Sequence, residues 1–391
     1  MVKAAGACSE SGWKVAVVSV RKLSAVEPLD DDVLSRSNWT SHRIDLRSKW
    51  HWRRYRLREE TERALGFIGR GRRHATPAAT MALRQRVLKI PARLYIAHYV
   101  AALPVAAAAA ARHGGQFAFD AEDFHLGEFS PDRFGSTARR DVREIEAAHL
   151  PHAAFVTAAA PLIATAYATE YGIDRPTVVL NVFTNPSAPQ GPTTSGIAPC
   201  RPSIYWFSQT IGPDRGLECA VKAVARSKWK PHLYLRGTVA NGYDTVLLDL
   251  AAGLGIAEHI HLLPPALPSQ MENLAAEHDI GLISETGHTL NRRIALTNKQ
   301  FTYLSAGVPL VMSNTPAHIE FAREAGSVVS LFEVNDPDSL AAVIDARLGD
   351  AQSLARSRRE AFELGQRRYN WELEKRVLVS RVRRTIGRAH D

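Results

Sequence analysis

The chain alternates short apolar runs with helix-length segments, and it does so twice. In the first half, runs rich in Val, Ile, Leu and Phe stand at "WKVAVVSV", "SHRIDL", "RLYIAHY", "QFAFD", "AAFVT" and "TVVLN". The second half repeats the rhythm with "SIYWFSQ", "HLYLRG", "HIHLL", "DIGLIS", "VPLVMS" and "SVVSLF". Strands separated by crossover helices are the pattern of βαβ units and parallel sheet. Between the halves lies "NPSAPQGPTTSGIAPCRP", whose five prolines and small polar residues mark a linker. The expected fold is α/β, with two Rossmann-like, doubly wound domains facing across a cleft. A length of 391 residues agrees, because it exceeds what one hydrophobic core usually supports.

The expected division is 1–187 for the first domain, 188–370 for the second and 371–391 for a C-terminal helix returning to the first. That helix follows two others, at "DSLAAVIDARL" and "AQSLARSRREAFELGQRRY", with apolar residues at helical spacing. No internal repeat of solenoid length is present.

Charge narrows the partners. The formal net charge is +9 and the excess gathers in two places, Arg43 to Arg73 and the tail from Arg367 on. Such clusters suit a solvated arginine-rich face, an anionic membrane surface or an anionic substrate, and no nucleic acid is expected. Cys8, Cys200 and Cys219 form neither a CxxC nor an even framework, so no disulfide scaffold or zinc site is suggested. The most apolar stretch, "LYIAHYVAALPVAAAAAA", is broken by His98 and Pro104 and falls short of a spanning helix. The opening residues lack the apolar region of a secretory signal. A cytoplasmic protein is expected, with a peripheral contact on the inner membrane face left open.

In an open parallel sheet, ligands sit outside the carboxyl ends of the strands. Four loops there are unusual. "FDAEDFHLGE" offers Asp120, Glu122, Asp123, His125 and Glu128, a density that suits metal binding, general base work or grip on sugar hydroxyls. The plain alternative is an acidic helix start. "FSQTIGPDRGLE" brings Gly212, Pro213, Arg215 and Gly216 to the start of a helix, where backbone amides and a guanidinium hold diphosphates. "LISETGHTLNRR" and "LTNKQFTYLSAGVP" belong together, with Glu285 at a strand end and Lys299 near a helix start. Asn298 also suits a helix cap and Lys299 a solvated charge. A cation there opposes the helix dipole, however, and becomes sensible when an anion lies nearby.

At these residues the sequence resembles the retaining, nucleotide-sugar-dependent glycosyltransferases of the GT-B fold, the group-1 or family-4 type that builds polysaccharides, glycoconjugates and natural products. That group has a Glu, a spacer, then NK-x-x-E-Y-x-x-x-G-x-P; here stand Glu285, Asn298, Lys299, Tyr303, Gly307 and Pro309. The likeness spans roughly the whole chain, including "YNWELE", and is weaker before residue 90.

The resemblance implies hexose transfer from a nucleotide-diphosphate sugar to a glycan, lipid-linked or small-molecule acceptor. Retention is implied, with no cofactor and no metal. Glu285 would contact donor-sugar hydroxyls, and the Gly212 to Gly216 turn with Arg215 would meet the diphosphate. Asn298 and Lys299 would lie beside the same phosphates. Glu122, His125 and Glu285 would carry catalysis, while Asp120 and Asp123 would face the acceptor.

Three features depart from the pattern. Thr302 stands at the ribose-binding glutamate, Ser208-Gln209 replace the Gly-Arg of the phosphate loop, and the chain opens at a point resembling the second strand. In such an enzyme, cations and helix amides stabilise charge growing on the leaving diphosphate, each donor being worth about 3–4 kcal/mol. Removing Lys299 is therefore expected to lower turnover far more than folding stability. A non-catalytic GT-B protein that binds a nucleotide sugar or a partner enzyme is the second reading. A glycosidase is a poorer third, since a cationic phosphate loop has no role in it.

Overall fold

The computed structural model describes residues 1–21, 27–47, 53, 57, 77–133, 135–184 and 202–387. Most of the basic stretch Arg43 to Arg73 and the proline-rich connection lie outside the described residues.

Every run read as a strand is one. In the first half these are β1 (Ala16–Arg21), β2 (Thr40–Asp45), β3 (Leu94–Ala97), β4 (Gln116–Ala121), β5 (Val156–Ala158) and β6 (Thr177–Val178). In the second they are β7 (Ser203–Ile211), β8 (His232–Val239), β9 (Ile260–Leu263), β10 (Ile280–Ile283), β11 (Leu310–Ser313) and β12 (Val329–Phe332). All recorded pairings are parallel.

The chain divides into two compact units, Met1–Val179 with Lys375–Asp391, and Leu180–Glu374. In the first, β3-β4-β5-β6 form one sheet and β1-β2 pair separately, where a single doubly wound sheet was expected. A helix, Val2–Glu10, precedes β1. The alanine-rich stretch resolves into β3, a short 3-10 turn and the helix Leu103–His113. Proline sits at that helix's start, and Gly114 ends it in the left-handed region. Among the described residues no helix is long and apolar enough to cross a membrane. The late helices run Pro337–Leu348, Ala351–Arg367 and Trp371–Gly387. Within the first unit the last of these is fastened by Lys375 to Glu10 (3.1 Å), by Arg381 to Thr177 (2.6 Å) and by Arg93 to the Ile386 carbonyl (2.5 Å).

The second unit has strand order β12-β11-β10-β7-β8-β9. The chain winds outward from β7 to β9, then returns to β10 and winds the other way. The order reverses between β7 and β10, which makes the carboxyl ends of those two strands the switch point of the sheet. Its core joins Ile204, Trp206, Leu233, Leu235, Ile280 and Leu282 to one face of the helix Leu217–Arg226. Leu217, Ala220, Val221 and Val224 lie at helical spacing, and all are buried there.

Candidate functional site

At the switch point two loops are fastened together. Ser284, the residue after β10, donates its hydroxyl to the Arg215 carbonyl (2.7 Å), and Thr286 donates to the Asp214 carbonyl (3.2 Å). Gly216 has φ of +71°, and a Cβ there would lie 2.3 Å from the Ser284 carbonyl oxygen. Only glycine permits both this conformation and this approach. The turn thus delivers Arg215 beside the end of β10, and Gly216 begins the helix Leu217–Arg226 with no side-chain cap on its amides. Gly212 and Gly216 are buried, while Arg215 is half-buried. The pairing of β7 with β8 slips between Phe207 and Thr210, the stretch that holds Ser208 and Gln209.

The motif around Lys299 works through its apolar members. Tyr303, fully buried, donates its hydroxyl to the Tyr205 carbonyl of β7 (2.7 Å). Its ring lies over Gly281 of β10, where a Cβ would meet it at 2.5 Å. These contacts pin the helix Asn298–Ser305 against both switch-point strands and set the direction of Lys299. Gly307, at φ +65°, turns the chain so that Pro309 leads into β11.

Lys299 is 5% exposed and Glu285 3%. The ammonium donates to Glu285 Oε1 at 2.9 Å and stands 5.4 Å from the centre of the Trp206 ring. Arg292 approaches Oε2 at 3.6 Å, and Ser313 donates to the Glu285 carbonyl (2.7 Å). Burial alone would raise the Glu285 carboxyl, but Lys299 and then Arg292 outweigh it and hold the group at about 2. The Arg215 guanidinium is disfavoured by partial burial and by neighbouring Arg292. Three cations therefore gather around one buried carboxylate.

This corrects the expectation for Lys299→Ala. Lys299 already has a protein partner, and removing it would strand a buried carboxylate, which costs stability. Asn298 is exposed at the first position of its helix, and the preceding Thr297 gives the amides no side-chain cap. Thr302 is fully buried and donates to the Asn298 carbonyl (3.2 Å), so its side chain is turned inward. A pocket of about 470 Å³ opens beside the β7 turn, lined by Asp214, Gly216, Lys222, Thr286, His288 and Asn335 among others. Glu285 and Lys299 do not line it.

In the first unit the acidic loop separates into unlike parts. Asp120 Oδ2 lies 2.9 Å from His98 Nδ1, and Thr157 donates to Asp120 Oδ1 (2.5 Å). Glu122 is exposed, with the amino group of Met1 at 3.2 Å. Asp123 is half-buried, and its carbonyl accepts from the Tyr167 hydroxyl (3.2 Å). His98, Asp120 and Glu122 are the only described group whose potential ligand atoms gather as a cation would need, within 4.8 Å of one another.

His125, expected among the catalytic groups, is 4% exposed and enclosed. Its Nδ1 lies 2.9 Å from Glu146 Oε1 and 2.8 Å from the Tyr167 hydroxyl. Burial would lower the imidazole, but the hydrogen bond and charge of Glu146 outweigh it and raise it. The loop does follow the carboxyl end of β4, where the strand-end rule looks for ligands. The rule does not say which side chains turn inward.

Sequence reasoning missed His98, Thr157, Trp206 and Ser284 as parts of these sites, and passed over Arg292. His98 carried a signal: it stands near the carboxyl end of a run read as a strand, just past the observed β3, where ligands are expected.

In sequence, no family model and no curated protein matches the chain. In structure, it is similar to HepE of Anabaena, solved with UDP and glucose, at 15% identity over 94% of this chain and 99% of that one, with a TM-score of 0.69. It is similar to sucrose-phosphate synthase of Thermosynechococcus elongatus at 14% identity, covering 99% and 92%, with a TM-score of 0.73. A glycosyltransferase of Rickettsia africae gives 12% identity, 98% and 93% coverage and a TM-score of 0.67. At these identities the likeness establishes the fold, and the chain has the GT-B fold.

Proposed function

We propose that the chain is a glycosyltransferase that takes a hexose from a nucleotide-diphosphate sugar held by the second unit and passes it to a glycan, lipid-linked or small-molecule acceptor. The observation that carries this reading is the excess of positive charge at the switch point. Arg215, Arg292 and Lys299 outnumber Glu285 there, beside two helix starts whose first residues have no side-chain cap. An anion with several oxygens fits such a place, because buried charge of one sign is unfavourable until it is matched.

Glu285, fixed as a carboxylate by Lys299, accepts hydrogen bonds from sugar hydroxyls. Arg215, Lys299, Asn298 and the amides after Gly212 and Gly216 face the diphosphate and stabilise the charge it gains as the sugar bond breaks. Thr302, turned inward, leaves ribose to other groups. In the first unit Asp120, Glu122 and Asp123 face the acceptor, and His125 holds their loop from beneath rather than touching substrate. Arg376, Arg383 and Arg384 are exposed on the helix Trp371–Gly387, which supports contact with an anionic membrane surface or a lipid-linked acceptor.

HepE has been solved with UDP-glucose, which makes uridine diphosphate sugars the first donors to test. A thermal-shift panel of UDP-, dTDP-, GDP- and ADP-hexoses should raise the melting temperature for at least one donor, since ligand at 100 times its Kd adds about 2.7 kcal/mol. A flat response to every nucleotide would sink the reading. The inward Thr302 favours one second reading, a GT-B protein that binds a nucleotide sugar without turning it over. It predicts a shift without release of nucleotide.

A further inference from the structure

The helix Leu217–Arg226 ends in a turn that carries a tryptophan between two lysines, "SKWKP". Trp229 is the only exposed tryptophan among the described residues, at 49%. The turn beneath it is built rather than loose. Buried Ser227 donates its hydroxyl to Asp345 Oδ1 (2.6 Å) and accepts from the Trp229 amide (3.2 Å). The Lys228 amide donates to the same carboxylate (3.0 Å), and the Lys230 amide to the Ser227 carbonyl (3.3 Å). Lys230 closes the turn at φ +41°, a conformation that glycine takes freely and a lysine adopts at a cost. Cations flank the ring: Lys222, Arg226, Lys228 and Lys230 are all exposed. Arg226 is answered by Asp338 (2.8 Å), and among the described residues no ion pair is recorded for the three lysines. Asp345 is taken up by the turn itself. The strands of this unit are parallel, so the turn before β9 lies at the same end of the sheet, where it exposes Leu254. The exposed carboxylate there, Glu258, stands 3.6 Å from His259 Nε2.

We propose that the turn Ser227–Lys230 is a lipid-contact site, which seats the Trp229 indole among the headgroups of an anionic membrane while Lys228 and Lys230 meet lipid phosphates. An indole has an apolar body and a polar N–H, and the boundary between headgroup and acyl chain satisfies both. Lysines beside it are drawn to the negative surface of such a membrane. The lysines also decide between lipid and protein as the occupant: the cores of protein interfaces favour tryptophan but are depleted in lysine, whereas an anionic lipid surface takes both. A backbone already fixed by Asp345 and Ser227 has little left to order on binding, which is what a small anchor needs. The proposal is independent of the donor reading. It is also separate from the arginines on the helix Trp371–Gly387, most of which belongs to the first unit.

The test sediments the full chain with vesicles of phosphatidylcholine alone and of phosphatidylcholine with one-third phosphatidylglycerol. Wild type should bind the mixed vesicles and leave the neutral ones largely free. Trp229→Ser should lower the partition constant about tenfold. Lys228→Gln with Lys230→Gln should lower it about 25-fold, at roughly fivefold for each lysine. Trp229→Phe should stay within about threefold of wild type, since an aromatic ring remains, yet lose most of the quenching of tryptophan emission by brominated lipid. Every variant should keep the wild-type melting temperature, because the changed side chains are exposed, and each retains the arginines of the closing helix. Partition of Trp229→Ser within about twofold of wild type overturns the proposal, and leaves any membrane contact to that helix. Wild type that binds no vesicle, or binds neutral and anionic ones alike, overturns it too. So does self-association in solution that Trp229→Ser abolishes, which would make the turn a face between copies of the chain.

Discussion

Each unit buries histidine, with opposite electrostatic outcomes. In the first, His125 lies against the fully buried Glu146, and the carboxylate overcomes burial so that the ring favours its proton. In the second, His278 and His318 are buried without a carboxylate bonded to either ring. Burial first, then Arg236 and Arg358, pushes His278 down to about 4. Burial likewise takes His318 to about 4, although its Nδ1 donates to the Ser313 carbonyl at 2.7 Å and Glu285 stands near. Glu285 does not charge His318 because Lys299 and Arg292 already answer it. Burial alone does not decide a titration; what the nearest carboxylate is already bonded to does.

The sharpest way to break this comparison is to free that carboxylate. Lys299→Ala should cost about 3–5 kcal/mol of stability in the second unit, the usual effect of breaking a buried pair. Transfer should fall at least hundredfold with it. Denaturant unfolding followed by hydrogen exchange would place the loss in Leu180–Glu374, and an exchange pattern unchanged there would refute the buried pair. Lys299→Ala with Glu285→Ala should recover part of the stability but none of the activity.

Acid should separate the units next. A ring held at about 4 against an ordinary value near 6.5 contributes about 3 kcal/mol that is present above pH 6.5 and lost as pH falls toward 4. His125 has the reverse sign: its contribution is complete below its ordinary value and fades as pH rises through its raised one. On going from pH 7.5 to 5, amide protection, corrected for the intrinsic pH dependence of exchange, should fall around His278 and His318 and rise around His125. Parallel trends in both units would show that the neighbours assigned to these rings are wrong.

The smallest effect should come from the exposed end of the first unit's loop. Glu122→Gln removes an exposed charge whose recorded partners are the Met1 amino group and, at 4.0 Å, His98, and stability should move by less than about 0.5 kcal/mol. A larger loss in melting experiments would mean that the loop is held from above as well as by His125 below.

These contrasts define what could be read in advance. Strand positions were legible because each apolar run is short and bounded, and the order of the runs identified the carboxyl ends where ligands belong. The Gly216 turn was legible too, since glycine before a helix carries a backbone requirement. Pairings between elements were not. Glu285 and Lys299 are separated by two further turns of chain, and only the seating of Tyr303 on Gly281 brings the ammonium to the carboxylate. His98 stayed hidden because its partner depends on strand register, and His125 misled because a loop's composition does not say which side chains face the core.

The closing helix has a consequence for how the protein is made. The second unit, Leu180–Glu374, is one continuous length of chain, whereas the first needs both Met1–Val179 and Lys375–Asp391. On a ribosome the later-synthesised unit can therefore reach its final form before the earlier one, reversing the common order. The residues around His98 and Asp120 must wait for the segment from Lys375 on to emerge before their unit is complete. A chain cut short before Lys375 would then keep the continuous second unit and lack the helix that fastens the first.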